Sequence, residues 1–128
     1  IYKIPFSVTN PTENENLLSY FFEENHDIGG IVVLNSRGNI VANYLAKRNM
    51  NTVKLVCIDV TDENICALKN GYIDFLICQK PEYQGYLAMK TMIGHLIFQQ
   101  PINVEHFLPL DIITKETVDL YKEFNDVT

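Results

Sequence analysis

The order of apolar and amphipathic segments predicts an α/β protein: a three-layer, open, mainly parallel sheet with helices on both faces. Three observations carry this. Continuous apolar runs rich in Val and Ile occur at residues 28–35 (IGGIVVLN), 53–59 (VKLVCID) and 73–78 (IDFLIC), and unbroken apolarity suits parallel strands covered on both sides. Each run is followed by a stretch with apolar residues at helical spacing. The links between them are short, and such alternation implies right-handed β-α-β units in a doubly wound sheet.

Taken in order, residues 1–8 (IYKIPFSV) read as an opening strand made less regular by Pro5. Residues 14–27 (NENLLSYFFEENHD) read as a helix with Leu17, Leu18, Phe21 and Phe22 inward. After Asn35, Ser36 is a fitting N-cap for a helix reaching about Arg48, with Ile40, Val41, Tyr44 and Leu45 on one face. After Asp59, Thr61 or Asp62 can cap a helix that turns Ile65 and Leu68 inward, and Gly71 supplies a left-handed stop. After Gln79, Pro81 suits the first turn of a longer helix to about Phe98, in which Gly85 would let a neighbour come close. Residues 103–113 (NVEHFLPLDII) are extended, and residues 115–124 (KETVDLYKEF) form a terminal helix capped by Thr114. The predicted order is β-α-β-α-β-α-β-α-β-α, with no internal repeat, low-complexity tract or linker.

A chain of 128 residues suits one domain, since domains commonly run from ~50 to 250 residues. With 47% hydrophobic and 20% charged residues, folding as a soluble protein is expected. No apolar run approaches the ~20 residues that span a bilayer, and the first residues lack a signal-peptide layout; no membrane partner is expected. The net charge of -6 argues against nucleic-acid contact by this segment. Three cysteines are an odd set, two of them (Cys57 and Cys78) inside apolar runs, which fits core packing in a reducing, cytoplasmic compartment.

Neither a Gly-x-Gly-x-x-Gly fingerprint nor a P-loop follows any strand, so no nucleotide or other cofactor is expected. His95 and His106 lack metal-ligand spacing, and His26 with Asp27 reads as a polar helix end. With no serine elbow and no nucleophile beside a base, no catalytic centre is read, and an enzyme is not expected.

In open α/β sheets, ligands bind beyond the carboxyl ends of the strands. Here Asn35, Asp59 and Gln79 close the three inner strands and should share one edge. Two amides, each both donor and acceptor, with a carboxylate that accepts two hydroxyl hydrogens, suit a polyhydroxy ligand. The same residue types also cap helices and satisfy loop backbone.

The run VCIDVTDENICALKNGYIDFLICQKPEYQGYLAMKTMIGHLI resembles the type 1 periplasmic sugar-binding protein fold, and is most similar to the effector-binding domain of LacI-type transcriptional regulators. The match rests on a strand ending in Asp59, an acidic capped helix with ALKNG, a strand ending in Gln79-x-Pro81, and a helix carrying Gly85. GGIVVLNSRGNIVANYLAKRN and FLPLDIITKETVDLY extend the similarity over nearly the whole chain. The resemblance implies that Asn35, Asp59 and Gln79 line the sugar side of a cleft, with Phe6 as a stacking face and Arg37 near the mouth. It also implies that residues 1–128 are a C-terminal lobe, half of a two-lobed sensor, with helix 80–99 crossing to the other lobe. The implied partners are a sugar and a second chain in a homodimer. DNA would be met only through an N-terminal head outside this stretch. A lobe of a periplasmic sugar-binding protein for transport or chemotaxis is the alternative. A self-contained flavodoxin-like enzyme or receiver domain fits less well, because a receiver's acidic cluster and later lysine are not arranged here.

Overall fold

A computed structural model describes residues 1–7 and 10–125. Along them run α1 (Pro11–Glu24), β1 (Gly30–Val33), α2 (Gly38–Lys47), β2 (Lys54–Ile58), α3 (Asp62–Lys69), β3 (Phe75–Cys78), α4 (Pro81–Phe98), β4 (Asp111–Ile113) and α5 (Val118–Asn125). The strands form one open sheet in the order β1-β2-β3-β4. The first three strands are parallel, with Val33 beside Cys57 and Cys57 beside Leu76, and β4 runs antiparallel to β3 with Ile113 beside Leu76. The apolar runs and the helical segments between them thus build the mainly parallel sheet that their alternation predicts.

Strand pleating sends alternate residues to opposite faces. Leu55, Cys57, Leu76, Cys78 and Ile113 point to one face and are buried under Val41, Ala42, Tyr44 and Leu45 of α2 and Ile65, Ala67 and Leu68 of α3. Val56, Ile58, Phe75 and Ile77 point the other way and are half-buried, while on that side Val32 is 59% and Ile112 65% exposed. Outside α2, α1 is seated by Leu18 and by an aromatic seam: Phe22 stacks on Tyr44 at 5.7 Å, and the Arg48 guanidinium lies 4.0 Å above the Tyr44 ring.

Four local expectations are corrected. Residues 1–7 form no strand, and Val8 lies outside the described residues. The buried Asn14 instead takes both backbone groups of Ser7: the Ser7 N–H donates to Asn14 Oδ1 (2.7 Å) and Asn14 Nδ2 donates to the Ser7 carbonyl (3.0 Å). A side chain there does what a strand ladder would have done. Second, α2 is capped by Arg37 rather than Ser36, with no side-chain cap bond. The turn before it closes on Asn35, whose Oδ1 accepts the Arg37 N–H at 3.0 Å. Third, nothing stands within 4 Å of where a Cβ on Gly85 would lie, so this glycine allows no close approach in the described chain. Fourth, Thr114 opens the last helical turn through its carbonyl, which accepts the N–H groups of Thr117 and Val118, not through its hydroxyl as a cap.

Thr61 caps α3 by accepting the Asn64 N–H, and Gly71 follows it at φ +80, as expected. Helix α4 is different in kind. Its only buried residue is Gly94, while Tyr83, Tyr86, Met89, Met92, Ile93, Leu96, Ile97 and Phe98 are exposed. Both its caps, Lys80 (φ 54) and Gln99 (φ 53), are left-handed without being glycine. Lys80 is held there from two sides, by its N–H on Cys78 Sγ (3.3 Å) and by its ammonium on Asp111 (2.9 Å).

Candidate functional site

Because β1, β2 and β3 are parallel neighbours about 4.8 Å apart, the residues that follow them leave the sheet at one edge. Asp59 comes directly after β2, Gln79 directly after β3, and Asn35 two residues after β1. Asp59 is half-buried in a left-handed conformation (φ 71), one that aspartate tolerates better than most side chains. Its N–H donates to the Ile77 carbonyl (3.0 Å) and its own carbonyl accepts from Asn64 Nδ2 (3.0 Å). Gln79 is exposed, and its carbonyl accepts from the Gln84 side chain at 2.6 Å.

Two clefts open at this edge. One, of about 440 Å³, is lined by Asp59 with Ser36, Thr61, Asp62, Glu82, Cys78 and Tyr121. The other, of about 780 Å³, lies between α4 and the segment before β4; Gln79 and Gln84 line it with His95, His106, Met92 and Phe107. Asp59 and Gln79 therefore face different clefts, and Asn35 and Arg37 line neither. Arg37 is half-buried at the start of α2, and Phe6 is half-buried against the core.

Sequence reasoning missed three features of this edge. Asn64 bonds to both neighbouring loops. Lys80 and Asp111 pair across the two segments that lead into and out of α4. Cys78 Sγ lies 2.8 Å from the Tyr121 hydroxyl. Burial, then the bond to Cys78 and the negative groups Asp111 and Glu82, hold the Tyr121 hydroxyl far above the ordinary tyrosine range. The only signal for Asn64 was a polar residue three positions after the Thr61 cap, inside an otherwise apolar helix face. Among the described residues no three His, Cys, Asp or Glu side chains stand close enough to hold a metal, and no helix is long and apolar enough to cross a membrane.

The cysteines differ in a way that labelling can read. Burial alone pushes the Cys57 thiol up to about 12, whereas Cys66 is exposed. At pH 8 an alkylating reagent is expected to modify Cys66 and leave Cys57 untouched until the chain is denatured; rapid native labelling of Cys57, read by mass spectrometry, would contradict this. The unfolded thiol titrates near 9 and the folded one near 12, so between those values the unfolded state has given up a proton that the folded state keeps. Stability from this group is therefore full below pH 9 and falls as pH rises from 9 toward 12.

Residues 6–100 match the family model described as periplasmic binding protein domain. Among solved structures, a candidate LacI transcriptional regulator from Bacteroides fragilis is 36% identical with a TM-score of 0.78, covering 85% of this chain and 38% of that one. An ABC transporter solute binding protein from Agrobacterium vitis, bound with alpha-D-tagatopyranose, is 25% identical with a TM-score of 0.79, covering 91% of this chain and 40% of that one. A carbohydrate transporter solute binding protein from Agrobacterium radiobacter in complex with D-arabinose shares the fold at 21% identity and a TM-score of 0.76, covering 92% of this chain and 41% of that one. The chain thus spans about two fifths of the length of these structures. No curated protein matches it. With its open, mostly parallel sheet and a family match running from Phe6 to Gln100, the chain belongs to the periplasmic binding protein domain family.

Proposed function

We propose that the chain is the C-terminal ligand-binding lobe of a LacI-type DNA-binding transcriptional regulator whose effector is a sugar or another small polar molecule. The observation that carries this is the placement of Asn35, Asp59 and Gln79 at the carboxyl edge of three adjacent parallel strands. In this reading the three side chains bind hydroxyl groups along the shared strand edge, which spans the two clefts that Asp59 and Gln79 line, and a second lobe closes over that edge. Phe6 and Arg37 contribute at the margins, and the chemistry is recognition only. The apolar, exposed length of α4 supports a crossing to that second lobe, since such a surface on a water-soluble protein marks an interaction site. Ligand binding then favours one arrangement of lobes over another, and a paired DNA-binding head in a homodimer reads the shift.

The test is calorimetry on the full-length protein with a sugar panel that includes D-tagatose and D-arabinose. For any sugar that binds, Asp59→Ala is expected to weaken affinity roughly 10- to 100-fold, as loss of hydrogen bonds to a charged group predicts. An unchanged affinity in a folded Asp59→Ala protein would remove Asp59 from the site. Light scattering on the same sample reads the dimer, and a monomer at every concentration would remove that part.

A second reading, a solute-binding lobe for transport or chemotaxis, is favoured by the likeness to the Agrobacterium vitis protein with its bound sugar. The encoded sequence before Ile1 separates the two. A helix-turn-helix there supports the regulator, and a signal peptide supports the transport protein.

A further inference from the structure

We infer that Asn64 is a positioning residue that ties the two loops bearing Asn35 and Asp59 into one unit. This rests on the ligand edge proposed above and adds to it how that edge is held in shape. The Asn64 side chain is fully buried. Its Oδ1 accepts the Asn39 N–H at 2.8 Å, on the first turn of α2. Its Nδ2 lies 3.2 Å from the Ser36 carbonyl, in the loop after β1, and 3.3 Å and 3.0 Å from the Ile58 and Asp59 carbonyls, at the end of β2. An amide has two hydrogens to donate, so three carbonyls share them. One side chain therefore satisfies backbone groups on both sides of the gap between β1 and β2.

Two further features show that the arrangement is tight. A Cβ on Gly38 would stand 3.2 Å from Asn64 Oδ1, so the start of α2 rests directly on this amide. Asn64 is also an indifferent helix former placed in the first turn of α3, where Ala or Leu would favour the helix more. What the residue supplies lies outside the helix: it holds the left-handed Asp59 by its carbonyl and the Asn35 turn by the Ser36 carbonyl. Neither loop can leave its position without breaking a bond that also serves the other. A ligand would then meet Asn35 and Asp59 already ordered, and the cost of ordering them on binding is reduced.

The experiment reads exchange of amide hydrogens by NMR, first on the unmodified chain. The Asn64 side-chain amide protons should exchange slowly, while those of exposed asparagines such as Asn51 and Asn70 exchange fast. Fast exchange at Asn64 would overturn the inference with no variant needed. In Asn64→Ala, the Asn39 N–H, which loses its acceptor, should exchange roughly tenfold faster, and the Arg37 and Asp59 N–H groups should also exchange faster because their loops lose the bonds to the Ser36 and Asp59 carbonyls, while core-strand amides keep their protection. Asn64→Asp keeps the acceptor for Asn39 but loses the donors to Ser36, Ile58 and Asp59, so Asn39 should stay protected while the Asn35 and Asp59 loops both loosen. A residue that merely fills space would not separate the Asn39 amide from the two loops in this way. Release of one loop alone in a folded Asn64→Ala chain would overturn the coupling. Titration with D-tagatose and D-arabinose completes the set. If the parent protein binds neither, these two sugars are excluded as its effectors, and the exchange data still decide the coupling.

Discussion

Alanine at Gly38 is expected to destabilise the chain by roughly 3 kcal/mol, at the upper end of what overpacking a core usually costs. The sign is not obvious in advance, because Gly38 is the first residue of a helix, and within helices alanine is favoured over glycine by up to about 1 kcal/mol. Geometry decides it. A Cβ on Gly38 would lie 2.3 Å from Cys57 Sγ and 2.6 Å from Cys57 Cβ, where carbon atoms in contact normally keep about 3.5 to 4 Å. The thiol could turn away, but the Cβ cannot. It is fixed to the fully buried centre of β2, which is bonded on both sides by β1 and β3. For the same reason Cys57→Ala should not rescue Gly38→Ala, whereas Cys57→Gly should relieve the contact. A thermal melt should show a fall of about 10 °C for Gly38→Ala, and a melt within a degree or two of the parent would show that the sheet can give way at this point.

Leu76→Ala is expected to cost about 3 kcal/mol, within the range for large-to-small changes in cores. Leu76 is fully buried between Cys57 on β2 and Ile113 on β4, so atoms on both sides are held by strands and cannot collapse into the space. Ile112→Ala, one residue from Ile113 on the same strand, should cost less than about 1 kcal/mol, because Ile112 is 65% exposed. Urea unfolding of the two variants measures the difference between the sheet's faces. Equal losses would mean that the second face is covered in solution.

The strands were legible because parallel strands need unbroken apolar runs, and residues 31–34, 55–58 and 75–78 have them, each closed by a polar residue. The long helix was legible to within about a residue at each end, since Pro81 suits a first helical turn and the apolar spacing ends near Phe98. Pairing across space was not. The opening segment has a strand's composition, yet nothing local shows that Asn14 will take up Ser7. Ser36 and Arg37 differ as caps only through the turn closed by Asn35. At the edge, Asn35, Asp59 and Gln79 could be placed by counting from the strands. That Asp59 and Gln79 line separate clefts depends on where α4 and α5 travel, which no local pattern encodes.

At 1.5 Å per residue the 18-residue α4 is about 27 Å long. Lys80 is fixed by Cys78 and Asp111, while Phe98 at the far end is exposed. The Lys80 end of the helix therefore sits beside the polar strand ends, at the place where a pivot of the helix would be centred. A tilt of about 10° at Lys80 would sweep the far end through roughly 5 Å over that length, so a displacement too small to notice among Asp59, Gln79 and Lys80 becomes a step the width of a side chain at Phe98.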